Sequence, residues 1–446
     1  MAVQTITRRW YGRIGPGLIT ACVVIGPGSI MTSSKIGANN EYAMLWVVVV
    51  SVAFMMLFMT LGAKLGVVAS ASPCDILRKK AGKWLAMLVG MGVFFIAAAF
   101  QSGNNIGVAA AFEAFIDSKP VVTGLIILFN LLSISFLFLF KDIYKVLERA
   151  MVGFVALMLT CFAINLVRLQ PDLTAMAKGL IPSLDESVDK LAVLGLIGTT
   201  FVIAGAFYQA YLVRQKGWSL EDVRSGLVDA RVGSILMFVI TLMLMSTAAA
   251  ALYTGESVQL KNPVAVATSL ETTFGPTAKI VFCVGLFSAA YSSFLVNSMI
   301  GGIMASDGLD LGSNPGDAGP RILTTVVLLT GLFVGIAVLV FDFDRTPTII
   351  AAQAVTVVAA PLVAGVLLWL TSCRDVMGEH VNRPMTIGFG LVGLGMLIAM
   401  AGKTALVDLP RKIELYLNPP MVSKTINPAT DVVWSHRFDC IRSPFS

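Results

Sequence analysis

Val23-Val24-Ile25-Gly26-Pro27-Gly28-Ser29-Ile30 interrupts the apolar stretch that runs over residues 15–37. A helix needs about 20 apolar residues to cross a bilayer. Midway across this one, Pro27 withholds its N–H, and Gly26 and Gly28 bring no side chain. The backbone is expected to unwind there. Polar backbone freed at membrane depth is tolerated only where protein or a cavity satisfies it. A plain proline kink is the competing reading. A second copy of the pattern favours a binding site: Gly17-Leu18-Ile19 through Val24-Ile25-Gly26-Pro27-Gly28 aligns without a gap on Gly195-Leu196-Ile197 through Val202-Ile203-Ala204-Gly205-Ala206, at an offset of 178 residues. The match pairs the first apolar stretch with the sixth, as two inverted five-helix repeats require.

The rest of the chain has the composition of an integral membrane protein. Of 446 residues, 57% are hydrophobic and 13% charged, where a soluble domain carries about 25% charged. The mean hydropathy is +0.84. Ordinary soluble enzymes, disordered tails and nucleic-acid binders drop out. The net charge of +6 is explained by basic residues at the membrane boundary. Cys22, Cys74, Cys161, Cys283, Cys373 and Cys440 are scattered singly, so neither a disulfide framework nor a zinc site is indicated. His380 and His436 lie outside the apolar stretches, which excludes a histidine-based metal site within the membrane.

Eleven apolar stretches are read as spans, roughly 15–37, 43–63, 85–115, 121–140, 148–168, 191–213, 227–252, 278–304, 322–342, 348–372 and 386–404. The first has no small-residue cleavage site and is not read as a signal peptide. With the N-terminus in the cytoplasm, inner segments hold 17 Lys and Arg and outer loops 7. That bias predicts an N-terminus inside, in a bacterial inner membrane. Two regions are expected: a transporter domain over 1–404, with repeats over about 15–168 and 191–372 plus an extra helix over 386–404, and a polar, proline-bearing tail over 405–446.

Polar residues gather near the two breaks. The first stretch offers Ser29, Ser33 and Ser34; the third Gln101, Asn104 and Asn105; the sixth Thr199, Thr200, Tyr208 and Gln209; the eighth Ser288, Tyr291, Ser293 and Asn297; the tenth Gln353. Amides in hydrocarbon are expensive unless satisfied, so these face the bundle interior or water. Hydrogen-bonding glue between helices is the bland reading for each.

At these residues the sequence resembles the NRAMP family of divalent-metal transporters. Residues Gly15-Pro16-Gly17 to Trp46 follow the family's first-helix pattern, Ala63-Lys64-Leu65-Gly66 its turn after the second helix, Gly195 to Val213 its sixth helix and Gly285 to Leu309 its eighth. The resemblance implies an all-α membrane protein with a LeuT-like fold: a 5+5 inverted repeat plus an eleventh helix, broken helices 1 and 6, and alternating access. The family's Asp-Pro-Gly-Asn reads here Gly26-Pro27-Gly28-Ser29, and its Met-Pro-His falls on Val202, Ile203 and Ala204. Acids that the family carries in the third helix align with Gln101 and Asn104, and two more in the first helix with Ser33 and Lys35.

Each departure removes a charge, a titratable group or a metal ligand. Bare Mn²⁺ or Fe²⁺ wants imidazole, thioether or carboxylate donors, and even Mg²⁺ sites normally include a carboxylate. The remaining acids, Glu41, Glu113 and Asp229, are read as interfacial. The sequence therefore predicts a transporter passing a small neutral polar or zwitterionic organic solute, without ion coupling. Gly26, Ser29, Gln101, Asn104, Thr199, Val202, Tyr208, Gln209 and Gln353 are its expected binding residues. The alternative is a divalent metal ion, hydrated Mg²⁺ or Mn²⁺. A receptor on this scaffold would need a sizeable soluble domain. No enzyme, cofactor, nucleic acid or obligate protein partner is expected; the partners are the substrate and the lipid bilayer.

Overall fold

The computed structural model describes residues 15–182, 196–256, 258, 260, 263–341, 345–404 and 406; for Thr273 and residues 345–358 it describes the backbone alone. The expected tail, Leu406 apart, lies outside the described residues.

Span 1 is two half-helices, 1a (Pro16–Val24) and 1b (Pro27–Asn40), bent by 58°. Each begins with a proline in its first turn, where a missing N–H costs nothing. Between them Gly26 is extended, at φ −105° and ψ −178°. Span 2 is Leu45–Val68, span 3 Lys83–Glu113, span 4 Lys119–Leu139 and span 5 Ile143–Leu169. Span 6 is also broken. Residues 196–200 (6a) are helical, Phe201 and Val202 are not, and 6b covers Ile203–Gln215. Span 7 is Val223–Leu252, span 8 Pro276–Gly308, span 9 Ala318–Val340, span 10 Arg345–Ser372 and span 11 Pro384–Lys403. Eleven spans are thus present among the described residues once each bent pair is counted as one.

The repeat alignment misses the second break by a few residues. It puts Gly26 on Ala204, yet span 6 opens at Phe201 and Val202. Proline fixes the break in span 1; span 6 has none, and the bonds Phe201 N–H to Ile197 O and Gly205 N–H to Val202 O bracket its own gap. Short helices that hydropathy overlooks lie between spans: Pro73–Ala81, Leu173–Gly179 and Pro263–Phe274.

Burial orders the spans. Span 6 is 94% buried over its apolar window, span 4 only 28% and span 11 22%. Leu128, Leu131, Leu132, Phe389, Leu391 and Val392 are exposed on the latter two, as befits helices whose outer faces meet lipid. Small residues let the central helices approach closely. A Cβ on Gly107 of span 3 would come within 2.1 Å of the Pro27 ring, and one on Gly17 within 2.2 Å of the Asp229 carbonyl oxygen. The break in span 1 is therefore pressed against span 3, and the start of 1a against span 7.

Candidate functional site

In an unbroken helix the carbonyl of Val23 would accept from the N–H of residue 27. Residue 27 is proline, so that acceptor is orphaned. The hydroxyl of Ser293, on span 8, donates to it across 3.3 Å. Ser293 is thus the side-chain partner that an unwound backbone needs. A Cβ built on Gly26 would lie 3.0 Å from Ser293 Oγ and 3.4 Å from Asn104 Oδ1. The break consequently faces spans 3 and 8, with two neutral oxygens aimed at position 26.

Asn104 donates its amide to Gln101 Oε1 at 3.2 Å. Gln101 is buried, and its own Nε2 finds no partner. Its stem is held by Gly331 of span 9, where a Cβ would come within 2.4 Å of Gln101 Cγ. The hydroxyls of Ser29 and Ser33 on 1b, and of Thr200 on 6a, are likewise buried without a partner. Unpaired buried polar groups also occur elsewhere in the bundle, at Asn165, Thr241 and Ser246, so these count toward a site only through their place on the broken spans and span 3. Among the described residues no group of three or more His, Cys, Asp or Glu side chains could hold a metal ion.

Other expected site residues have different surroundings, and the buried Tyr208 hydroxyl has no partner. Thr199 returns its hydroxyl to Leu196 O at 3.2 Å. Val202 lines a small apolar cavity of ≈ 20 Å³ with Ile96, Phe201, Ala360, Leu397 and Met400. Tyr208 stacks on Tyr211, ring centroids 5.9 Å apart. Gln209 is structural: Thr20 of 1a donates to its Oε1 at 2.5 Å, and its Nε2 donates to Asp229 Oδ2 at 3.0 Å. The side chain of Gln353 lies outside the described residues. Three of the polar groups are interhelical glue. Asn130 donates to Asn105 Oδ1, Ser133 meets Tyr291, and Asn297 donates to Ala97 O.

Reading Asp229 as interfacial is corrected by its surroundings. It is 0% exposed, and its carboxylate accepts from the Gly15 and Gly17 amides at 2.7 and 2.6 Å. Those are the first N–H groups of 1a, where a helix start lacks intrahelical partners and favours an anion. A second buried acid, Asp307 at the end of span 8, went unread in the sequence. It accepts from Ser72 Oγ and Tyr211 Oη, both at 2.7 Å, and from Cys74 N at 3.1 Å. The two buried carboxylates thus grip 6b through Gln209 and Tyr211. Cys74 sits on the short helix Pro73–Ala81, and burial pushes its thiol well above the ordinary range.

A family model described as natural resistance-associated macrophage protein-like (Nramp) matches residues 17–406. The chain belongs to the Nramp family. A divalent metal cation transporter MntH of Deinococcus radiodurans is 25% identical over 89% of both chains. One from Pectobacterium carotovorum is 26% identical over 83% of this chain and 88% of its own. Among solved structures, an Eremococcus coleocola manganese transporter in complex with an aromatic bis-isothiourea compound superposes with a TM-score of 0.80 at 19% identity, covering 94% and 90% of the two chains. MhsT in complex with L-phenylalanine superposes at 0.59, with 16% identity and 87% and 98% coverage. The Nramp chain is an integral membrane transporter with the LeuT-like fold. The preference for an organic solute gains no support from these relatives, which favour the metal alternative.

Proposed function

We propose that this Nramp protein moves a divalent metal ion, kept in most of its hydration shell, past the break in span 1 by alternating access. The relatives named as divalent metal cation transporters cover nearly nine-tenths of both chains, which supports the metal. The site supports the water. The observation that carries this is the neutral lining at position 26: Asn104 Oδ1 and Ser293 Oγ face Gly26, Asn104 is tied to Gln101, and the Ser29 hydroxyl and Gln101 Nε2 are buried without a partner. Stripping a dication costs far more than neutral oxygens return. Mg²⁺ dehydrates reluctantly and keeps several waters, so hydroxyls and amides that bond those waters suit it. Gly26, Ser29, Gln101 and Asn104 are the proposed contacts; Thr199, Val202, Tyr208 and Gln353 are kept as candidates, and Gln209 holds the scaffold. Among the described residues the side chains nearest Gly26 are the neutral Ser293 and Asn104, so flux is expected without a proton.

The same neutral lining favours a second reading, a small uncharged polar solute. One experiment divides them. The protein is reconstituted in liposomes holding a divalent-ion dye and a pH dye, and a panel of labelled neutral solutes is run in parallel. Saturable Mg²⁺ or Mn²⁺ influx without internal acidification is the expected result. Solute uptake with no divalent influx would give the site to the solute, and acidification coupled to metal influx would remove the uncoupled mechanism.

A further inference from the structure

The membrane face on which span 1 begins carries cations that the transport site does not use. Lys64, near the end of span 2, is half-buried, and its ammonium donates to Asn382 Oδ1 at 2.6 Å. Asn382 is neutral and already committed. Its amide donates to the hydroxyls of Thr371 and Ser372 at the end of span 10, at 2.7 and 3.2 Å. Among the described residues no carboxylate reaches Lys64. A half-buried charge beside a neutral amide is poorly compensated, and a bound anion would repair it.

More cations lie on the short helix Pro73–Ala81, at the start of span 3 and in the turn between spans 10 and 11, which carries Asn382. Lys80 pairs with Asp375 and lies 6.0 Å from the ring centroid of Trp369, itself 41% exposed. Lys83 lies 5.6 Å from the ring of Trp84, which is 70% exposed. Lys79, Arg374 and Arg383 are exposed and pair with no carboxylate among the described residues. Against them stand Asp375, spent on Lys80, Asp75 and Asp310, both spent on Arg78, and Glu379. Exposed tryptophans sit where acyl chains meet headgroups. Trp84 and Trp369 therefore set these cations at the depth of lipid phosphates. Met385 and Phe389, exposed on the first turns of span 11 just beyond Asn382, offer an apolar surface for the chains.

We propose that this cluster, with Lys64 as its innermost cation, binds the headgroup phosphate of an anionic phospholipid. Basic pockets between membrane helices hold such headgroups, each Lys or Arg near the surface strengthening binding about fivefold. The adjoining apolar surface selects a lipid over a free phosphate. The test uses the full-length protein, stripped of lipid in neutral detergent and titrated with phosphatidylglycerol, phosphatidylcholine or inorganic phosphate. Bound lipid is counted by native mass spectrometry, and Tm is followed. Phosphatidylglycerol is expected to bind saturably and raise Tm, the other two to do neither. Lys64→Gln should weaken phosphatidylglycerol about fivefold, while Lys64→Arg retains it. Lys79→Gln with Lys83→Gln, on exposed positions that folding does not need, should also weaken it and decides the matter if Lys64→Gln does not fold. Equal binding of the two lipids, an equal rise in Tm with inorganic phosphate, or undiminished phosphatidylglycerol binding in the neutralised variants overturns the proposal.

Discussion

Asp229 Oδ2 lies 2.6 Å from the backbone nitrogen of Gly17. A carboxylate on span 7 thereby holds the start of half-helix 1a, and through Gln209 the same oxygen holds half-helix 6b. Half-helices 1a and 6b, which the proposed alternating access would move, meet at one buried group.

Replacing Asp229 with Ala leaves the Gly15 and Gly17 amides buried without an acceptor, at a cost of about 1–3 kcal/mol for each. The variant should melt at a lower temperature in detergent. Its flux in liposomes should fall too, because the start of 1a loses the acceptor that fixes it. Asp229→Asn, which keeps one acceptor oxygen, should fall between the two. Unchanged melting in the Ala variant would show that the clamp contributes nothing.

Ser293→Ala removes the donor to the Val23 carbonyl, which Pro27 cannot satisfy. The orphaned acceptor should cost about 1–3 kcal/mol unless a water replaces the hydroxyl. Ser293→Thr keeps the donor and should be milder. Melting temperatures of the three proteins, measured side by side, check the order.

Gly26→Asp with Ser29→Asn puts a carboxylate where Asn104 Oδ1 and Ser293 Oγ now face a bare backbone. Direct coordination then competes with the hydration shell, and the balance should move from Mg²⁺ toward Mn²⁺. Relative influx of the two ions into liposomes is the readout. Divalent transport that appears only in the variant would mean the natural site does not carry metal.

Cys74 is 0% exposed, and its Sγ lies 3.3 Å from the Tyr211 hydroxyl that also bonds Asp307. Burial raises its thiol pKa, so little reactive thiolate forms near neutral pH. A chain retaining Cys74 as its sole cysteine should react slowly with maleimide. Tyr211→Phe removes the tie between 6b and Asp307 and should speed labelling severalfold by opening that face more often. Equal rates in the two proteins would dissociate Tyr211 from the opening motion.

Gly107→Ala drives a methyl into the Pro27 ring, 2.1 Å away. Overpacking of this kind costs about 1–3 kcal/mol. Lower Tm with reduced flux is expected, since the strain falls on the break itself.

The membrane class, the eleven spans and the break at Gly26-Pro27-Gly28 were legible in the linear sequence. Hydrophobic runs and a missing N–H are local properties, and no distant partner can cancel them. The fate of each polar side chain was not legible. Gln209 reads in sequence as a lining residue, but Thr20, 189 positions away, and Asp229 occupy both ends of its amide. Asp229 looked interfacial because it stands near the start of its helix; Gly17, 212 positions earlier, decides its burial. Gln101 and Ser29 keep unpaired groups because their neighbours leave them so. Sequence by itself set where the chain crosses the membrane and where span 1 must unwind. Tertiary structure decided which polar groups the folded bundle consumes and which it leaves unpaired, because a hydrogen bond in hydrocarbon depends on partners that only the packed helices bring together.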